Sequence, residues 1–181
     1  MSDLSRRTVA VLTTTGFEDA EISRVKHAVE EAGGRVLIIA PDDRAVTGRR
    51  GTSYDPDMLT ADSDAAAFSA LLLPGGVSNA DRLRTDPAAV ELVRDVVAAG
   101  KPVAAICHGA WILTDADAVK DRTLAASPSL KTDLVNAGAT WVDEPVHVDE
   151  GTGAGVPLLI TARTKDDLEP FIEAVVENFG R

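Results

Sequence analysis

The chain has 181 residues, 45% of them hydrophobic, which suits a single domain (1–181) with its own apolar core. A formal net charge of −11 and an isoelectric point of about 4.6 repel phosphate backbones, so nucleic acid is not an expected partner. No apolar run approaches the ~20 residues that span a bilayer, no apolar leader precedes the first strand, and one cysteine excludes an intramolecular disulfide; a reducing cytoplasm without membrane contact is expected.

Thr8 to Leu12 is a short apolar run rich in β-branched residues and predicts a central strand. The loop Gly16-Phe17-Glu18-Asp19 follows. From Ala20 to Ala32, residues Ile22, Val25, Val29 and Ala32 recur at helical spacing, and Gly33-Gly34 supply a stop. Val36 to Ala40 reads as a second buried strand, parallel to the first across a right-handed crossover. Val46 to Tyr54 suggests a small hairpin around Gly48 and Gly51. The Arg44, Arg49, Arg50 cluster lies beside Asp42 and Asp43 and is expected to solvate a loop.

Ala70 to Leu73 predicts a third buried strand, stopped by Pro74-Gly75-Gly76. Pro87 to Ala99 predicts a helix with proline in its first turn and Gly100 after its end. The run Lys101 to Trp111 predicts a strand that breaks into a helix from about His108 to Asp115. Pro128 to Ala137 predicts a short helix, and Thr140 to Val142, Val146 to Val148 and Pro157 to Thr161 predict strands, the last two joined by a glycine-rich turn at 151–155. Lys165 to Phe179 closes the chain as a helix. The alternation implies a three-layer α/β/α sandwich, flavodoxin-like, around a mostly parallel sheet with a small β-hairpin.

The only cysteine, Cys107, falls where the strand breaks, with Gly109 two residues on. A helix N-terminus favours thiolate, so this placement suits a nucleophile elbow with a lowered thiol pKa; a buried core cysteine is the competing reading. His108 is either a general base for that thiol or a cap that points elsewhere. The histidines His27, His108 and His147 show no metal-ligand spacing, and neither metal nor cofactor is expected. Trp111 either walls a pocket or packs an interface. Trp141 suits the core. Arg163 reaches either a neighbouring carboxylate or the site.

The block Val103-Ala104-Ala105-Ile106-Cys107-His108-Gly109 resembles the core motif of the PfpI family, in the class I glutamine-amidotransferase-like superfamily that also holds the Parkinson-disease protein deglycase. Gly16 to Glu21, Thr47-Gly48, Leu73 to Gly76, Lys131 to Asp143 and Thr161 to Leu168 are similar to further family blocks, in the same order along nearly the whole chain. The resemblance implies that Glu18 approaches the cysteine sulfur as a protonated carboxyl. It also implies that the Gly76 and His108 amides form an oxyanion hole, and that the chain is a homodimer or higher oligomer. In the family's peptidases the matching histidine pairs with an acid from a neighbouring subunit. Asp81 stands at that place here, one methylene shorter than the family's Glu and after a different loop.

Three functions follow from the elbow cysteine and the resemblance together. The first is a stress-protection enzyme, deglycase- or glyoxalase-like, acting on small reactive carbonyls or glycated adducts through Cys107. The second is an intracellular cysteine peptidase using Cys107, His108 and Asp81. The third is a non-enzymatic redox sensor or chaperone whose thiol oxidises to sulfinate.

Overall fold

A computed structural model describes residues 3–181. In chain order the regular elements are β1 (Thr8–Leu12), α1 (Asp19–Glu31), β2 (Arg35–Ala40), β3 (Val46–Thr47), β4 (Ser53–Tyr54), β5 (Met58–Leu59), β6 (Ala70–Leu73), α2 (Val77–Arg84), α3 (Pro87–Ala98), β7 (Val103–Ile106), α4 (Ile112–Asp115), β8 (Thr123–Leu124), α5 (Lys131–Asn136), β9 (Thr140–Trp141), β10 (Val146–Asp149), β11 (Leu159–Ala162) and α6 (Leu168–Phe179).

The main sheet runs β10-β11-β7-β6-β1-β2-β5. All its pairs are parallel except β10 with β11. Its inner strands are near-continuous apolar runs because both faces are covered. Ala10, Leu12, Leu71, Leu73, Val103 and Ala105 face the side closed by α2, α3 and α4. Val9, Val11, Ala70, Leu72, Ala104 and Ile106 alternate with them and face α1 and α6. This is the expected three-layer sandwich, and β3 with β4 forms the expected antiparallel hairpin. No helix among the described residues is long and apolar enough to cross a membrane.

Several elements differ from expectation. The sequence pattern showed no helix at Val77–Arg84, because α2 starts straight from Gly76 with no side-chain cap. Thr140–Trp141 is a strand, as expected, but Thr123–Leu124, with which it pairs in parallel in a separate two-stranded sheet, is not among the expected strands. The helix expected from His108 opens as a 3-10 turn over Cys107–Trp111, and only Ile112–Asp115 is α-helical.

The crossover after β1 runs outward to β2, whereas the crossover after its other neighbour, β6, runs outward the opposite way to β7. The loops after β1 and β6 therefore part at the C-terminal ends of the strands. Open α/β sheets place their ligand crevices at such a point.

Candidate active site

Cys107 follows directly on β7 with φ of 59°, one of three described non-glycine residues in the left-handed region. That conformation costs on the order of 1–2 kcal/mol for an L-residue and holds only where the surroundings impose it. The surroundings are tight. A Cβ on Gly109 would lie 2.1 Å from the Leu73 carbonyl oxygen, so only glycine fits as the chain turns under β6. A Cβ on Gly75 would meet Glu21 Oε2 at 2.7 Å and Cys107 Cβ at 2.8 Å. The carboxyl and the cysteine thus face each other across a gap with no room for a methyl group.

Cys107 is half-buried beside a cavity of about 300 Å³, lined among others by Glu18, Glu21, Arg49, Gly76, His108 and Lys165. The backbone N–H groups of His108 and Gly76 point at the sulfur and favour its thiolate. Burial, then the charge of Glu21, act against them, with a smaller contribution from Glu18. Together these push the thiol up to about 12, so the expected lowering does not occur. The physical reason is local: a 3-10 turn followed by one short helix carries little macrodipole, and two amides do not offset burial and two carboxyls.

The carboxyl closest in effect to the sulfur is Glu21, which sequence reasoning missed. Its residue is fully buried in the first turn of α1, and Oε2 accepts from the Gly75 N–H at 2.5 Å. Burial raises its pKa to about 8; the Glu18 charge adds to this, while the Gly75 hydrogen bond and the Lys165 ammonium oppose it. Glu18, expected to be the protonated partner of the sulfur, lines the same cavity and sits 3.3 Å from the Arg49 guanidinium. Arg49 thus lines the cavity while its side chain stays largely exposed on the loop. Asp19, between the two glutamates, accepts from the Arg50 and Thr52 amides at 2.8 Å each and ties the β3–β4 hairpin to α1.

His108 Nδ1 lies 3.3 Å from Cys107 Sγ, and Nε2 lies 2.9 Å from Ser129 Oγ, which is 3.1 Å from Ser127 Oγ. Burial lowers the imidazole pKa, favouring the neutral ring. In the tautomer that carries its proton on Nε2, toward Ser129, Nδ1 is left to accept the thiol proton. Asp81 does not join this group within the chain. It is exposed on α2, and no hydrogen bond among the described residues links it to His108.

The remaining candidates fall outside the reacting centre. Trp111 packs beside His108 with ring centroids 6.5 Å apart, under the Arg84 guanidinium, and donates to Asp133 at 2.9 Å. Arg163 pairs with Asp167 and Asp143 instead of the site. His147 contacts Glu144 at 2.8 Å and His27 lies near Glu31.

A cysteine forced into a left-handed corner at the end of β7, one strand from the switch point of a parallel sheet, with backbone amides aimed at its sulfur, defines an α/β protein of the nucleophile-elbow class. The family model described as DJ-1/PfpI matches residues 7–178, and the chain belongs to that family. It is 41% identical over 164 residues to a putative cysteine protease, YraA, of Bacillus subtilis, covering 90% of this chain and 92% of that one. It is 40% identical over 174 residues to protein/nucleic acid deglycase 2 of Escherichia coli, covering 95% and 97%. Among solved structures, a two-domain protein of Anabaena variabilis with DJ-1/ThiJ/PfpI-like and ferritin-like domains superposes with a TM-score of 0.88 at 31% identity. That match covers 96% of this chain and 50% of the other.

Proposed function

We propose that the protein is a cysteine-dependent enzyme of stress protection that acts on small reactive carbonyls or their glycated adducts in the cytoplasm. The observation that carries this reading is the thiol of Cys107 in contact with a neutral imidazole, under two backbone amides and beside a carboxyl that stays protonated up to about 8. The deglycase relative supports it. His108 Nδ1 takes the thiol proton, and the sulfur adds to the aldehyde carbon. The Gly76 and His108 amides stabilise the negative oxygen, which receives a proton from Glu21 or the imidazolium to give a hemithioacetal. Glu21 takes the relay role, since Glu18 is held by Arg49. With methylglyoxal, loss of the proton on the former aldehyde carbon and reprotonation of its neighbour convert the adduct to a lactoyl thioester without an external oxidant. Water hydrolyses that thioester, releasing lactate and restoring the thiol. Lactate formation from methylglyoxal tests the reading, and a Cys107→Ala variant as active as the parent refutes it.

The 3.3 Å approach of His108 Nδ1 to the sulfur also favours a second reading, an intracellular peptidase, and the Bacillus relative's name agrees. That reading needs Asp81 of a second copy to reach His108, in a homodimer or larger oligomer. Cleavage of casein by the parent, lost in Asp81→Ala, supports it; an intact substrate refutes it.

A further inference from the structure

The side chain of Asn79 is fully buried on α2 and takes no part in the chemistry above. Its Oδ1 accepts from the Thr14 N–H at 2.8 Å and the Thr13 hydroxyl at 3.2 Å, both in the loop after β1. Its Nδ2 donates to the carbonyl oxygens of Pro74 at 3.0 Å and Gly75 at 3.1 Å, in the loop after β6. The amide thus bridges the two loops that part at the switch point, and donors on one side and acceptors on the other fix which way round it sits.

Those two carbonyls belong to the peptide planes that carry the site's donors. A trans peptide points its C=O and N–H in opposite directions. Holding the Pro74 carbonyl therefore aims the Gly75 N–H, which donates to Glu21 Oε2. Holding the Gly75 carbonyl aims the Gly76 N–H, which faces the Cys107 sulfur. The Glu18 N–H assists from the other loop, reaching the Gly75 carbonyl at 3.3 Å. Peptides flanked by glycine flip more readily than others, and a flipped Gly75–Gly76 plane would present an oxygen to the sulfur.

We propose that Asn79 is a positioning residue of this enzyme: one side-chain amide that holds both glycine peptides with their N–H groups toward Glu21 and Cys107. The inference rests on Cys107 being the nucleophile, and it extends to any substrate that requires the Gly76 amide.

The test is the second-order rate of Cys107 alkylation by iodoacetamide at pH 8, followed by intact mass on folded protein, in the parent, Asn79→Ala and Thr13→Val. Losing the amide aimed at the thiolate slows alkylation about tenfold in Asn79→Ala, since one hydrogen bond to an ionised group is lost. Thr13→Val, which keeps Asn79 but removes one of its anchors, slows it about threefold. If Asn79 only glued the loops together, loosening them would expose the half-buried thiol and speed alkylation. An unchanged or faster rate in the variants overturns the proposal. Should Asn79→Ala fail to fold, the rate in Thr13→Val decides alone. On methylglyoxal the expected change is a fall in kcat with KM nearly constant. Absence of lactate from the parent would count against the carbonyl reading and leave the alkylation result standing.

Discussion

Replacing Glu21 with glutamine removes one buried charge without removing the acceptor for Gly75, so it isolates the titration of a single group. In the folded chain the carboxyl titrates at about 8 instead of 4.5, chiefly because it is buried. Its folded pKa is raised, so the native state binds this proton more tightly than the unfolded state. The resulting contribution is complete below about pH 4.5 and is lost as pH rises through 8. At ~1.4 kcal/mol per pKa unit, the shift amounts to at most about 5 kcal/mol between those limits. A small domain is stable by only ~5–15 kcal/mol in total, so the effect is large enough to read directly. Urea unfolding of the parent and Glu21→Gln between pH 5 and 9 is the assay. The parent should lose stability relative to the variant as pH rises, with most of the divergence complete by pH 8 to 9. Parallel curves over the whole range would refute the burial of an ionisable Glu21 as its controlling feature.

Gly109→Ala should destabilise the fold by ~3 kcal/mol or more, because its Cβ would enter the Leu73 carbonyl at 2.1 Å; a urea midpoint matching the parent's would show that the corner relaxes. Asp19→Ala frees the Arg50 and Thr52 amides and should cost ~1–3 kcal/mol, with faster proteolysis within residues 46–54 as the local readout. Ser129→Ala removes the partner of His108 Nε2 and should lower kcat on methylglyoxal several-fold with little change in unfolding midpoint; an unaltered rate would make that contact incidental.

The architecture was legible because both faces of the inner strands are buried, which makes Thr8–Leu12, Arg35–Ala40, Ala70–Leu73 and Val103–Ile106 near-continuous apolar runs between turn signals. Cys107 was legible for the same reason: an apolar run that ends at a lone cysteine and a glycine marks a corner. The 3-10 character of Cys107–Trp111 was not, since tertiary crowding against Leu73 and Pro74 decides it. Nor was the direction of the thiol's pKa. It depends on how deeply the thiol is buried and on which carboxyl points inward, and neither is a property of the local sequence.

The choice between Glu18 and Glu21 shows where a finer reading of the pattern would have helped. Glu18 precedes the helix as its N-cap residue, with extended backbone, and its side chain is free to turn toward the hairpin and Arg49. Glu21 stands four residues before Val25 and eight before Val29, on the stripe that α1 buries. A carboxylate on that stripe violates the rule that lone charges stay out of cores, and such violations concentrate where a protein needs a shifted pKa. The apolar periodicity that identified the helix therefore already placed Glu21 inside it. The fold then supplied what periodicity cannot: the Gly75 N–H that meets the carboxyl, and a cysteine on the other side of that glycine whose thiolate must form beside a carboxyl that resists ionising.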